Sequence, residues 1–260
     1  MRVCFYTFKS QATMYVASRL IESGKLSAVI LQSPVRLLDH VLWLSRRGRR
    51  HGVIQVADEL VFKIYYTLFL RRADARCRTV HLPTKIGDSS LRGNTQTPVY
   101  EVDSINSERG KAVLTSLKPD LVIMQARELI AKDILTIPRL GFVGCHPGII
   151  PEYRGAYASF WAMSRGEPEN VGISVYLADA GVDTGGLVSQ RRSKPQFPIR
   201  HFKIESERLM RDGVNDLLDV LDMAERGALT AYRRPGVPSR FFSHLGLSDY
   251  LRAAWRLRRR

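Results

Sequence analysis

Short apolar runs alternate with amphipathic segments over the first 150 positions, and this alternation constrains the fold most strongly. RVCFYTF (2–8), LSAVILQ (26–32), TPVYEV (97–102), DLVIMQ (120–125) and LGFVGCHP (140–147) are strand-length runs. Between them, QATMYVASRLIES (11–23), SERGKAVLTSL (107–117) and ELIAKDILTI (128–137) place apolar residues at helical spacing. Gly24 and Pro138 are natural stops, and Ser107 is a candidate N-cap. A strand, a helix and another strand can share one sheet only through a right-handed crossover, which makes the strands parallel. The expected fold is α/β and Rossmann-like: a mostly parallel twisted sheet flanked by helices. GISVYLAD (172–179) and GLVSQRR (186–192) add two strands joined by a glycine-rich turn, and 203–226 reads as a long amphipathic helix. We expect an α/β domain over 1–200, an irregular helical insertion over 34–95, and a C-terminal helix with a basic extension over 201–260.

The insertion carries two apolar–basic helices, around 35–50 and 57–72. The second holds eleven mostly apolar residues from Leu60 to Leu70, broken by Lys63. A bilayer span needs about 20. The run therefore packs on the core or lies in a membrane interface, and packing is the expectation. Arginines cluster at Arg46, Arg47, Arg49 and Arg50, at Arg71, Arg72, Arg76 and Arg78, and along the tail 252–260. The chain has 40 Lys+Arg against 25 Asp+Glu, a net charge of +15. The clusters allow weak contact with nucleic acid, a membrane surface or a phosphorylated small molecule; a solvated basic surface is the alternative. With 45% hydrophobic and 25% charged residues, the chain is neither disordered nor fibrous. The three cysteines, Cys4, Cys77 and Cys145, form no CxxC, so no disulfide framework and no metal site is expected. MRVCFYTF enters a strand without a signal-peptide pattern, and a reducing, cytoplasmic setting is expected. No GxGxxG follows the first strand, so a dinucleotide site has no support. The pattern carries no signal for an oligomeric state.

In an open α/β sheet, ligands bind beyond the carboxyl ends of the strands. The segments after DLVIM, GFVGC and GISVYLA are expected to converge there. His146 ends one of them, followed by Pro147, Gly148 and YRG (153–155); Asp179 and Asp183 lie in DAGVDTGG (179–186). A histidine beside a carboxylate from another loop is a workable acid–base pair, because the carboxylate fixes the tautomer and stabilises the protonated ring. The alternative is a histidine satisfied by a backbone carbonyl, with both aspartates serving their own turns.

GFVGCHPGIIPEYRG (141–155), followed by GISVYLADAGVDTGGLVSQ (172–190), resembles the 10-formyltetrahydrofolate-dependent formyltransferases. That family includes glycinamide ribonucleotide, methionyl-tRNA and amino-sugar formyltransferases. Its pattern is N-x-H-x-S-L-L-P-x-Y-R-G, then D-x-G-x-D-x-G and a closing Gln. His146, Pro151, Tyr153, Arg154, Gly155, Gly172, Asp179, Gly181, Asp183, Gly185 and Gln190 match it. The likeness is good over 97–190, weaker over 1–32 and absent over 34–95.

The resemblance implies that His146 is the catalytic acid/base and Asp183 positions it. It implies that Met124, Gln125, Arg127, Glu128 and Leu129 border the cofactor's pteridine ring, with Asp179, Gly181 and Val182 closing the other side. Gly144, Tyr153, Arg154 and Gly155 would border an amine acceptor. The cosubstrate would be 10-formyltetrahydrofolate and the product an N-formyl compound. The family asparagine expected to hydrogen-bond the developing oxyanion is Gly144 here, and the family serine is Gly148. Losing one oxyanion donor costs about 10²–10³ in rate. Another donor such as Gln125, a different reaction, or a ligand- or partner-binding protein weakened in catalysis would each account for Gly144. Gly148 leaves the loop open to close approach of a ligand. Cys145 should point away from His146 on a strand.

The methionyl-tRNA branch carries an additional C-terminal β-barrel, whereas the stretch after Gln190 reads as helical and basic. The expected acceptor is therefore a small, anionic amine such as an amino-sugar nucleotide, with tRNA as the alternative. Tyr157, Phe160 and Trp161 could stack on a base, but at helical spacing they are expected to pack on the core.

Overall fold

The computed structural model describes residues 1–34, 52–82 and 97–258; the helix expected at 35–50 lies outside them. Strand β1 (Val3–Phe8) leads into α1 (Gln11–Glu22), whose start is fixed by a capping box between Ser10 and Thr13. Strand β2 (Ala28–Gln32) follows. Helix α2 (Val53–Tyr65) passes through a π-helical turn, Tyr66–Leu70, into α3 (Arg71–His81). Then come β3 (Val99–Val102), α4 (Glu108–Leu117), β4 (Leu121–Met124), α5 (Lys132–Leu135), β5 (Phe142–His146), β6 (Arg154–Gly155) and α6 (Ala158–Arg165). The chain continues through β7 (Gly172–Leu177), β8 (Gly186–Arg192), α7 (Phe202–Glu225), β9 (Phe241–Phe242) and α8 (Leu247–Arg258).

Seven strands form one sheet in the order β3-β2-β1-β4-β5-β7-β8. The first five are parallel, as the crossover argument requires; β7 runs antiparallel to β5, and β8 to β7. Side chains alternate across the sheet. Val3 and Phe5 of β1 join Val143, Val175 and the α1 and α7 residues Val16, Leu20, Leu217 and Leu221 on one face. Cys4 and Tyr6 join Ile30, Val122, Phe142, Leu114 and Ile134 on the other. Helix α7 thus covers one face of the sheet.

The helix expected at 128–137 shrinks to α5. The carboxylate of Glu128 accepts from the hydroxyls of Tyr6 and Ser104 and from the Ile105 amide, which holds 125–131 as a loop. The helix expected at 57–72 is present but longer, and it docks through Phe62. That ring lies 6.1 Å from Phe202 and 5.4 Å from Tyr250. Phe160 and Tyr157 meet the same Phe202, and Trp161 stacks on Phe242, so these three aromatics pack as expected. Phe202 is fully buried at the centre of this cluster. Phe202→Ala should cost about 3–5 kcal/mol of stability, because neighbouring rings close a large cavity poorly. Urea unfolding checks this; a cost below about 1 kcal/mol would mean α2 is not anchored there.

Candidate active site

Strand β5 ends in Gly144, Cys145 and His146, and the pairing of β5 with β7 fixes what surrounds them. Gly144 lies opposite Tyr176, and His146 opposite Ser174. Paired residues share a face, so glycine, histidine, tyrosine and serine all point to one side of the sheet. Cys145 points to the other, among Ile173, Val175 and Val214, and burial pushes its thiol up. It is no nucleophile, as alternation predicts.

Because β7 is antiparallel, the turn 178–185 does not leave at the carboxyl end of β5, as a purely parallel reading requires. It folds back over the sheet face and delivers Asp183 to His146. The His146 Nδ1 to Asp183 Oδ2 distance is 3.5 Å, with both side chains largely buried. Asp183 adopts φ 51°, a left-handed conformation that aspartate tolerates. Its carboxylate is held from both sides. The Gly155 amide donates to Oδ2 at 2.9 Å, and the Tyr176 hydroxyl donates to Oδ1 at 2.7 Å. Arg154 donates to the Val182 carbonyl at 3.0 Å, tying the same turn to β6.

His146 Nε2 lies 2.8 Å from the Tyr153 carbonyl. A carbonyl only accepts, so Nε2 carries the hydrogen and Nδ1 faces Asp183. The sequence offered a catalytic pair or a carbonyl-satisfied histidine, and the structure combines them: the backbone sets the tautomer and the carboxylate faces the other nitrogen. Gly148 permits this placement. A Cβ there would fall 2.6 Å from His146 Nε2 and 2.3 Å from the Ala158 Cβ. The space expected to admit a ligand is filled by the imidazole itself.

Gly144 has an equally specific reason. A Cβ there would fall 2.5 Å from Tyr176 Cζ and 2.7 Å from its hydroxyl oxygen. The ring of Tyr176 therefore occupies the volume that a side chain at 144 would enter. Burial and the Asp183 carboxylate both hold its phenol far above the ordinary tyrosine range, so it stays a donor. The sequence reading missed Tyr176. A glycine within a strand, opposite an aromatic residue in the next, was the signal available, and it required the register.

The side chains of several expected site residues have other partners. The Tyr153 side chain turns away: its hydroxyl donates to Glu167 at 2.6 Å and its ring stacks on Phe242, so only its carbonyl serves the site. Asp179 caps its own turn, accepting from the Gly181 amide and the Thr184 hydroxyl. Glu128 is engaged by Tyr6, Ser104 and Ile105, and the Arg127 guanidinium lies 3.8 Å from the centre of the Phe8 ring. Leu129 is exposed, with its carbonyl accepting from Asn106. Met124 packs with Tyr176 and Ile150. Gln125 lies one residue beyond the end of β4. Its amide is buried without a hydrogen-bond partner among the described residues, as is the Thr7 hydroxyl on neighbouring β1. Both sit where the strand order reverses between β1 and β4, the crevice position of this sheet class. Among the described residues no group of three or more His, Cys, Asp or Glu could hold a metal ion.

Gln190, the closing glutamine of the motif, is structural: its amide donates to the Ile150 carbonyl and Ser174 hydroxyl at 2.8 and 2.9 Å. Arg234 donates to its oxygen and to both oxygens of Glu152, fastening the 150–155 loop from behind.

Residues 74–209 match the family model described as formyl transferase. A methionyl-tRNA formyltransferase of Roseiflexus sp. (strain RS-1) is 29% identical over 205 residues, covering 72% of this chain and 62% of that protein. The chain thus spans less than two thirds of the length of the curated relatives it matches. Among solved structures, glycinamide ribonucleotide transformylase 1 from Symbiobacterium toebii superposes with a TM-score of 0.55 at 15% identity, over 93% of this chain and 92% of that one. The N-formyltransferase from Helicobacter canadensis, in complex with folinic acid and dTDP-3-aminofucose, gives 0.58 at 12% identity, over 96% and 72%. At these identities the superpositions speak to the fold. The family match covers more than half of the sequence and contains His146, Asp183 and the loops that join them: this chain belongs to the formyl transferase family.

Proposed function

We propose that the chain transfers a formyl group from 10-formyltetrahydrofolate to the amino group of a small anionic acceptor, such as a nucleotide-linked amino sugar. The observation that carries this reading is the meeting of His146 with Asp183, a carboxylate fixed by Gly155 and Tyr176, at the carboxyl end of β5. The cosubstrate supplies an activated one-carbon unit. Its fit to the chain rests on Gln125 and Thr7, whose orphaned buried polar groups at the strand-order reversal call for a hydrogen-bonding guest.

Each residue then has a chemical task. As the amine nitrogen bonds to the formyl carbon, it becomes cationic and must lose a proton. With Nε2 already donating to the Tyr153 carbonyl, Nδ1 of His146 takes that proton beside Asp183 and returns it to the folate nitrogen as the carbon–nitrogen bond to folate breaks, so protons and electron pairs balance. Asp183 offsets the charge of the imidazolium formed in between. Tyr176 is a positioning residue: its hydroxyl holds Asp183 Oδ1. With no side chain at 144, the protonated imidazole is a cation placed to offset negative charge growing on the formyl oxygen.

The +15 charge suits an anionic acceptor. The test is turnover of 10-formyltetrahydrofolate with a panel of amines, read as tetrahydrofolate release. Release with an amino-sugar nucleotide but not with methionyl-tRNA is the expected result; no release with any amine, and no folate binding by calorimetry, would overturn the reading. Tyr176→Phe keeps the ring over Gly144 and removes only the donor. It should lower kcat by about 10-fold or more with little change in KM, the signature of lost positioning rather than lost binding. An unchanged kcat would remove Tyr176 from the mechanism.

A further inference from the structure

We infer that the outer face of α2 is a docking surface for an anionic membrane, on which the chain lies without crossing it. The helix is apolar on two opposite sides. One side, with Val56 and Phe62, packs on the body. The other carries Ile54, Ala57, Val61, Ile64 and Leu68, spaced by three or four residues and therefore one continuous seam. All five face solvent; Ile54 is 88%, Ile64 60% and Leu68 66% exposed. The π-helical turn, in which the Arg71 amide donates to the Tyr66 carbonyl five residues back, adds Phe69, 65% exposed. From Ile54 to Leu68 the seam runs about 20 Å at 1.5 Å per residue. A soluble monomer rarely leaves so contiguous an aliphatic strip in water unless something covers it.

Charge selects the occupant. Continuing the seam by steps of four residues reaches Arg72 and then Arg76, both exposed. The acidic side chains of 53–81 are all engaged by other parts of the chain. Asp58 accepts from Ser248, Glu59 from Ser243, and Asp74 is buried against Tyr66 and His201. Among the described residues, the outer face of 53–81 is therefore apolar and basic with no carboxylate on it. Helix α8 packs beside α2 through Tyr250 and exposes Leu251 and Trp255 together with Arg252, Arg256 and Arg258. Aliphatic and aromatic side chains with arginine flanks are the composition of an interfacial helix. A second copy of the chain would bring like charge against this rim. A nucleic acid would satisfy the arginines but leave valine, isoleucine and leucine in water. Among the described residues no helix is long and apolar enough to cross a membrane, so the contact is superficial.

Flotation of the full chain with phosphatidylcholine vesicles, with and without phosphatidylglycerol, at low and high salt, tests this. We expect binding to the anionic vesicles that weakens with salt. Arg72→Gln with Arg76→Gln should weaken it about 20- to 30-fold, near fivefold per arginine. Ile64→Asp with Leu68→Asp should reduce it at least about 10-fold at either salt. Both residues are exposed, and the variant should keep wild-type far-ultraviolet circular dichroism. No binding to anionic vesicles at low salt would overturn the inference. So would binding that survives the aspartates, tighter binding to an oligonucleotide, or a dimer that the aspartates dissolve. The readout is partition, not turnover, so it stands or falls separately from formyl transfer.

Discussion

Replacing Asp183 by Asn should lower turnover by about 10²–10⁴-fold, the range expected when a positioned acid–base system is disabled. The substitution isolates the carboxylate. Asparagine tolerates the left-handed φ of 51° at this position, so the turn keeps its backbone. A new amide must nonetheless face two donors, the Gly155 N–H and the Tyr176 hydroxyl, with a single oxygen. One donor loses its acceptor, and His146 loses the charge opposite Nδ1. His146→Ala should reach a similar loss. The double variant should be little worse than either single one, because groups that act as a unit do not add. The measurement is kcat for tetrahydrofolate release, with a thermal melt to confirm folding. Retention of activity within about threefold by either single variant would show that the pair is structural.

The alternation of strands and helices was sufficient to place β1 to β5 in a parallel sheet, because crossover chirality leaves few other arrangements. His146 and Asp183 were legible from their motifs, although the geometry that joins them was not. Strand direction in β7 is invisible to a pattern of apolar residues, and it alone decides that the 178–185 turn folds back over the face. Tyr176 escaped notice because its importance lies in a cross-strand pairing with Gly144, a register relation rather than a sequence distance. Glu128 and Tyr153 illustrate another limit. Both sit in segments that border the site, yet their side chains serve Ser104 and Glu167, because backbone position does not fix where a long side chain finds its partner. In α2 the apolar run predicted packing, and half of it packs. A helix apolar on two opposite sides carries no sequence mark of which side meets the body.

Gly144→Asn, which brings in the residue the family pattern has at this position, should damage this chain rather than improve it. The Cβ alone would lie 2.5 Å from Tyr176 Cζ, closer than such contacts occur, and the obstruction is a rigid ring. The ring can move aside only by breaking the hydroxyl's 2.7 Å bond to Asp183. Overpacking of this kind costs about 1–3 kcal/mol of stability. Turnover should fall as well, by about 10-fold or more, since Asp183 loses a support. The compensating change is Tyr176→Val, which makes room for the amide. If ring and amide are alternative occupants of one volume, the double variant should be more stable and faster than Gly144→Asn alone. The coupling should be of the size seen for residues in direct contact, about 0.5–3 kcal/mol. Additive losses would mean that Tyr176 and residue 144 are independent. A Gly144→Asn protein with unchanged stability and higher kcat would show that the tyrosine yields easily and that the glycine is a simple loss of the family's donor.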